Sequence, residues 1–385
     1  MPNFSGKWTL TEQAQGAAAE AWTGLTQYEL YAWGSGGNGR LGLNDTANRS
    51  SPVQVGALTT WSQVSAGSAH TAAIKTDGTL WTWGDNGDGR LGLNIAQTID
   101  RSSPVQVGAL TTWSQVSAYS TETAAIKTDG TLWTWGRSNW GQLGHNNIID
   151  VSSPVQVGAL STWYQVDGGE NVTAAVKTDG TLWTWGEGGN GRLGHNNTIG
   201  RSSPVQVGAL TTWSQVSAGQ AACAAIKTDG TLWTWGYGGY GRLGHNDEIA
   251  HSSPVQVGAL TTWSQVSMGA KFMTTVKTDG TLWTWGSNSN GRLGLNDTIN
   301  RSSPIQVGAL TTWSQVSAGS NGIGAVKTDG TLWTWGDNGS GQLGQNISFT
   351  TDRSSPVQVG SLTTWWKASA GNGHTAAINE ARTGM

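Results

Sequence analysis

The feature that most constrains this chain is an eight-residue string, Asp77-Gly78-Thr79-Leu80-Trp81-Thr82-Trp83-Gly84. It occurs six times as DGTLWTWG and once in the degenerate form Tyr28-Glu29-Leu30-Tyr31-Ala32-Trp33-Gly34. Its closing glycine falls at Gly34, Gly84, Gly136, Gly186, Gly236, Gly286 and Gly336, so the copies stand 50, 52, 50, 50, 50 and 50 residues apart. A period of this length marks a repeat architecture, in which each unit buries its apolar surface only by stacking on its neighbours.

Within a unit the residues alternate. Leu80 and Thr82 point to one side of a strand and Trp81 and Trp83 to the other, which suits a strand packed between two sheets. Lys75-Thr76-Asp77-Gly78 reads as a hairpin with a two-residue turn, because Asp-Gly supplies positive φ. The strand before that turn is His70-Thr71-Ala72-Ala73-Ile74. After Gly84 a glycine-rich loop ends in Gly89-Arg90-Leu91-Gly92. Ser103-Pro104-Val105-Gln106-Val107 then reads as an outer strand, where a proline removes no ladder donor. Trp113-Ser114-Gln115-Val116-Ser117-Ala118 opens the next unit. Four short strands per unit and seven units predict an all-β, seven-bladed β-propeller with four-stranded antiparallel blades.

The two ends of the repeat complete each other. The chain enters the pattern at Tyr28 with a third strand that no partner precedes. It leaves with Trp366-Lys367-Ala368-Ser369-Ala370-Gly371 and His374-Thr375-Ala376-Ala377-Ile378, a first and a second strand. One blade is therefore expected to take two strands from each terminus and remove both open edges. This gives a propeller over residues 28–385 and an extension over residues 1–27. Thr9-Leu10-Thr11-Glu12 in the extension has capping-box spacing ahead of helix formers, so a short helix is expected there, for docking, assembly or attachment.

Composition supplies the core and excludes several functions. Twenty of the 24 tryptophans fall at the positions of Trp61, Trp81 and Trp83, and give inter-blade packing to a chain that is only 36% hydrophobic. With a net charge of −3 and no basic run, a nucleic-acid surface is not expected. No stretch has the length and apolarity of a membrane span, and no apolar signal-peptide region opens the chain. The single Cys223 excludes an intramolecular disulfide and suits a reducing compartment or a virion.

Nothing in the sequence assembles a catalytic or cofactor site. Gly34-Ser35-Gly36-Gly37-Asn38-Gly39 fits G-x-G-x-x-G, but the helix a dinucleotide needs does not follow. Asp85-Asn86-Gly87-Asp88-Gly89 is spaced loosely like a calcium loop without its bidentate glutamate. His145, His195 and His245 recur in successive units, too far apart on diverging blades to share a metal, and read as solvated loop residues. The expectation is a non-enzymatic protein with no cofactor and no metal.

The combination Leu80-x-Trp-Gly, Gly89-x-Leu-Gly, Pro104-x-x-Val and Ala66-Gly67-x-x-His70-Thr71 resembles the repeat of the regulator of chromosome condensation family, over about residues 28–379. The resemblance implies a seven-bladed propeller closed by mixing both termini. It leaves function open, because the family includes a nucleotide exchange factor, ubiquitin-ligase subunits, a β-lactamase inhibitor and a UV-B photoreceptor. The opening Phe4-Ser5-Gly6-Lys7-Trp8-Thr9-Leu10 resembles the start of propeller proteins encoded by bacteriophages. That implies a virion component, a tail or fibre protein touching a host-surface or virion partner. The alternative is a cytoplasmic regulator of a small GTPase or another interaction scaffold.

The seven units also form an alignment within one chain, and their differences gather after the first strand and after Trp-Gly. Antiparallel topology brings both loops out at one face, while the constant Lys-Thr-Asp-Gly hairpins and Gly-Ala-Leu-Thr-Thr linkers share the other. A constant scaffold with one diversified face is how loop-based binding proteins are built. A protein or glycan partner is expected there, contacted by Tyr119, Glu122, Arg137, Trp140, Glu170, Tyr237, Tyr240, Lys271, Phe272 and Met273. The large aromatic side chains among them are the expected anchors.

Overall fold

The computed structural model describes residues 26–382, which form 28 strands in seven four-stranded antiparallel sheets. Blade one consists of Trp61–Ala66, His70–Lys75, Leu80–Gly84 and Arg101–Gln106, from the centre of the ring outward. Blades two to six repeat this order from Trp113, Trp163, Trp213, Trp263 and Trp313. Blade seven is built from both ends of the chain, in the order Arg49–Gln54, Thr26–Gly34, His374–Arg382, Trp365–Ala370. The strand Thr26–Gly34 starts two residues before Tyr28, inside the segment read as an extension. The helix expected near residues 9–22 lies outside the described residues.

Alternation along the strands makes the core. Ala72, Ile74 and Leu80 of blade one pack against Trp113, Val116 and Trp135 of blade two. On its other side blade one presents Trp61 and Trp83 to Leu30 and Ala32 of blade seven. Each blade thus offers an aliphatic face to the next and a tryptophan face to the one before. Many third-strand indoles find partners within this scheme, as Trp81 Nε1 donates to Thr79 Oγ1 at 2.9 Å and Trp83 Nε1 to the Arg40 carbonyl at 3.0 Å, whereas the first-strand indoles from Trp61 to Trp365 are buried with their N–H unpaired. Lys75 lays its ammonium 3.8 Å from the centre of the half-buried Trp81 ring, a cation–π contact that five later blades repeat.

The hairpin differs from the two-residue turn expected of Asp-Gly. Gly78 N donates to Lys75 O and Lys75 N to Thr79 O, and of the loop residues only Gly78 has positive φ, at 77°. This is a three-residue loop closed by a glycine bulge. Asp77 is held in the ordinary region because its carboxylate accepts from both Thr79 N and Thr79 Oγ1. That network continues through Thr79 to the Trp81 indole, so turn and core share one chain of hydrogen bonds.

The first strands line a central channel and are stitched to each other by side chains. Gln165 accepts from Val216 N and donates to Val216 O, both at 2.8 Å, and other glutamines at this position make one or both of these bonds. Blade seven places Lys367 there, which donates to Ser62 O at 3.2 Å and has no acceptor to offer in return. Two residues further along, Ser65, Ser217, Ser267, Ser317 and Ser369 each accept a backbone N–H of the following blade. Blade three departs from this ring with Asp167.

Candidate variable-loop face

Both variable loops emerge at the same end of the blade, joined to each other where they start. Asp85 N donates to Ala69 O at 2.9 Å, and Tyr237 N to Ala221 O and Ser287 N to Lys271 O repeat the link. The Gly-Arg-Leu-Gly segment, with glutamine in place of arginine at Gln142 and Gln342, is the clamp beneath them. The carbonyl of its second residue, Arg40, accepts from Thr71 Oγ1 and Trp83 Nε1. Gly42, at φ +72°, lies so close to the Trp83 indole that a Cβ would stand 2.8 Å from Nε1, so the chain is fixed to the core here. The arginine side chain then reaches the first variable loop of the next blade. Arg40 donates to Ser68 O at 2.8 Å, Arg192 to Gln220 O at 3.1 Å and Arg242 to Ala270 O at 2.9 Å. Constant residues hold the backbone, leaving the side chains above free to differ.

The opposite face is constant for a reason of its own. A Cβ on Gly78 would lie 2.2 Å from Thr111 O in the linker to the next blade, and Trp113 N donates to Gly78 O. Hairpin and linker interlock in this way at the six junctions that follow blades one to six. Their uniformity therefore reflects packing and does not measure how freely an exposed loop would drift, so it cannot serve as the contrast from which the variable loops gain meaning.

The expected contact residues divide into three groups. Trp140, Tyr237 and Tyr240 are exposed at 51%, 39% and 41%, and Lys271 is exposed beside them. Lys271 Nζ lies 5.7 Å from the Tyr240 ring, and the Arg242 guanidinium sits 4.9 Å from Tyr237 and 5.7 Å from Tyr240. Blades four and five thus carry one aromatic and cationic patch, while Trp140 and half-buried Arg137 stand on blade two. Tyr119 and Glu170 are half-buried and line the channel mouth. Phe272, Met273 and Glu122 are not surface contacts at all, being 0%, 0% and 3% exposed. All three belong to second strands, where alternation turns Phe272 toward the core shared with blade six and Met273 toward that shared with blade four. They vary among the units because they fill gaps between blades.

The histidines read as solvated are also held. His145, His195 and His245 are half-buried, with Nε2 2.9–3.0 Å from Thr134, Thr184 and Thr234 Oγ1, and burial lowers their pKa. Asp85 and Asp88 both face the Arg90 guanidinium, at 3.0 and 3.3 Å, which accounts for the calcium-like spacing.

Tyr240 shares its backbone geometry with four of its equivalents and departs from them in residue type. Its φ is +64°, a left-handed conformation that Asn38, Asp88, Asn190 and Asn290 adopt in other blades. Asparagine and aspartate tolerate this region, whereas a bulky side chain there costs about 1–2 kcal/mol. Strain of this kind is held where the fold has a use for it.

On this face the channel opens into a cavity of about 400 Å³, lined by Ser117, Tyr119, Asp167, Glu170, Ser217 and their equivalents. Asp167 accepts from Ser117 Oγ, Ser217 Oγ and Ala218 N, each at 3.0 Å. Burial outweighs these bonds and pushes its pKa up to about 6. Glu122 stands where blades one and seven have His70 and His374, and burial raises it to about 7 against the bonds from Thr121 and the charge of Arg90. The sequence signal for Asp167 was present, an aspartate where six units have serine, but it lies within a strand and outside the loops that differ most.

Glu122 makes a test of this burial. Its folded pKa lies above its unfolded value, so between about pH 4.5 and 7 the folded chain holds a proton that the unfolded chain has released. Stability contributed by this group is therefore present below that window and lost as pH rises through it. Relative to Glu122→Gln, the parent chain should lose on the order of 2 kcal/mol across the window. Urea titrations at the two ends of the window read this directly, and an unchanged difference would contradict the burial.

A family model described as an RCC1-like domain matches residues 29–377. Over 124 residues the chain is 32% identical to the ultraviolet-B receptor UVR8 of Arabidopsis thaliana, a stretch that covers 31% of this chain and 28% of the receptor. The match thus spans less than a third of that curated relative. Among solved structures, Prp20p from Saccharomyces cerevisiae superposes with a TM-score of 0.82 at 18% identity, covering 94% of this chain and 93% of that one. Human WBSCR16 gives 0.81 at 20% identity, with 92% and 99% covered. At these identities the likeness to the solved structures is one of fold.

Proposed function

This chain belongs to the RCC1-like domain family, and from that premise we propose that it is a non-enzymatic scaffold that binds a protein partner through its variable-loop face. The observation that carries the reading is Tyr240, an exposed aromatic held in a strained left-handed conformation, beside Tyr237 and two cations, at a position where four other units place asparagine or aspartate. Aromatic and arginine side chains of this kind dominate binding energy at protein interfaces. The fold-related Prp20p was described with its binding to Gsp1p and histones, so discs of this shape do serve as protein-binding platforms. A small GTPase as partner falls within the proposal. Placement in a virion rests on residues 4–10 alone, outside both the matched domain and the described residues.

The test uses a partner captured on the immobilised chain and identified by mass spectrometry. Replacing Trp140, Tyr237 and Tyr240 together by alanine should leave the melt intact and weaken that partner by ~2 kcal/mol or more. Tyr164→Ala with Leu210→Ala, exposed changes on the hairpin face, should leave affinity unchanged. Equal losses from the two sets would refute the assignment of the face.

A further inference from the structure

In seven nearly identical units, departures that fall side by side are informative, and several meet where blades two and three border the channel. Tyr119 stands where every other blade has a glycine, among them Gly67, Gly169 and Gly219. Asp167 replaces a serine, and Glu170 is the one charged residue at its position. All three line the same cavity, and among the described residues neither Asp167 nor Glu170 makes an ion pair.

A second observation comes from Gly168. Five of the other blades have alanine here and blade five has Met268, and the Gly168 backbone is not in the positive-φ region that would require glycine. A Cβ at Gly168 would meet only Tyr119 Cβ at 3.6 Å, Ser117 Oγ at 3.9 Å and Glu122 Oε1 at 4.0 Å, all ordinary contacts. The absent methyl group therefore leaves a methyl-sized cradle between blades two and three, beside the cavity wall, with a Glu122 carboxylate oxygen at its edge. Glu122 is 3% exposed, and Oε1 has no hydrogen-bond partner. A buried carboxylate oxygen left unpaired is costly; the proton that Glu122 holds at lower pH relieves it, and so does a cation that brings its own hydrogen-bond donors. Among the described residues no group of three metal-ligating side chains is gathered that would hold an ion instead.

We infer that the channel mouth at blades two and three binds an organic cation, an ammonium or guanidinium group, between Asp167, Glu170 and the Tyr119 ring, with Glu122 behind the Gly168 cradle. Asp167 is held in place by Ser117 and Ser217, so the acceptor is fixed before the ligand arrives. The aromatic ring adds a cation–π surface at the rim. The inference rests on the variable face being the recognition face and names the chemistry recognised at its centre. The cation is either a free small molecule or the lysine or arginine side chain of a protein partner.

Calorimetric titration of the full chain tests it with agmatine as the free cation, acetyl-Gly-Arg-Gly-amide as the side-chain source, and the citrulline peptide as the neutral match. Saturable binding of either cation, with the citrulline peptide at least tenfold weaker, is the expected result. Binding of the peptide alone assigns the ligand to a protein side chain. Asp167→Ser restores the residue that six other blades use, and it should weaken the cation about tenfold or more at an unchanged melting temperature. Should that variant fold poorly, Asp167→Asn keeps the shape and removes the charge. No saturable binding by the parent chain, equal binding of citrulline, or full affinity in both variants overturns the inference. The alanine changes at Trp140, Tyr237 and Tyr240 should not affect these titrations, so failure of the partner surface and failure of the channel site are separate results.

Discussion

A chain lacking residues 371–385 is expected to lose its cooperative unfolding transition altogether, not to survive as six stable blades. The deletion removes the strand His374–Arg382, which lies inside blade seven between Trp365–Ala370 and Thr26–Gly34. Nine register pairs with Thr26–Gly34 and five with Trp365–Ala370 go with it. What remains is a single unpaired strand on one side of the gap and a two-stranded ribbon on the other, neither stable alone in water. The loss reaches the neighbours too, because Ala376 and Ile378 pack with Trp61 and Trp83 of blade one, and Ala377 with Trp33 and Trp365. The opened ring would expose unpaired strand edges suited to association between molecules. Circular dichroism and light scattering during heating measure both effects. A truncated chain that melts sharply within a few degrees of the full one would show that the ring does not depend on its closing blade.

The second large effect concerns the tryptophans, which look equivalent in the repeat and are not equivalent in the ring. Trp235 is 0% exposed, donates its N–H to Arg192 O at 2.9 Å, and belongs to the cluster that joins blades three and four. Its replacement by alanine empties a site walled by two sheets that cannot collapse into it, and should cost about 3–5 kcal/mol. Trp233, two residues earlier, is half-buried and lies 3.7 Å under the Lys227 ammonium with its N–H on Thr231. The same replacement there leaves a gap that water and the lysine stem can fill, and should cost on the order of 1–2 kcal/mol. Urea denaturation of the two variants separates them. Equal losses would mean that the outer tryptophan is as much a part of the core as the inner one.

The architecture was legible because it was written seven times. The 50-residue period, the strand alternation at Leu80 to Trp83 and the matching halves at the two ends each mapped onto one feature of the fold. The turn at Asp77 and Gly78 was misread because the pair fits two loop types. What selects between them is the Asp77 bond to Thr79, a side-chain choice that composition does not reveal. The candidate face was read less well. Phe272 and Met273 look like loop residues in a string of differences, but the second strand begins at Phe272, and pairing with Gly286 draws both into the core. Variation in a repeat thus has two sources, freedom at a surface and compensation between blades, and only three dimensions distinguish them. Of the channel wall, Tyr119 and Glu170 were read as contacts, but Asp167 and Gly168 were missed for the opposite reason. Asp167, Gly168 and Tyr119 are single changes scattered over two units, and they become neighbours only when the ring closes.

The pairing of Thr26 with Arg382 bears on where such a chain has to begin. In blades one to six the second and third strands are joined by the Thr-Asp-Gly turn, whereas in blade seven the same two strands run on for four further pairs, from Asn379 opposite Glu29 to Arg382 opposite Thr26. Blade seven is thus an ordinary blade whose hairpin has been cut. It follows that the position of the cut is arbitrary in the topology. A short link from Arg382 to Thr26, with the chain reopened at Asp229 and Gly230, would conserve every strand ladder while moving the termini to blade four. The starting point can therefore migrate around the circle without any change of fold, and a partner could be fused beside whichever pair of variable loops it is meant to approach.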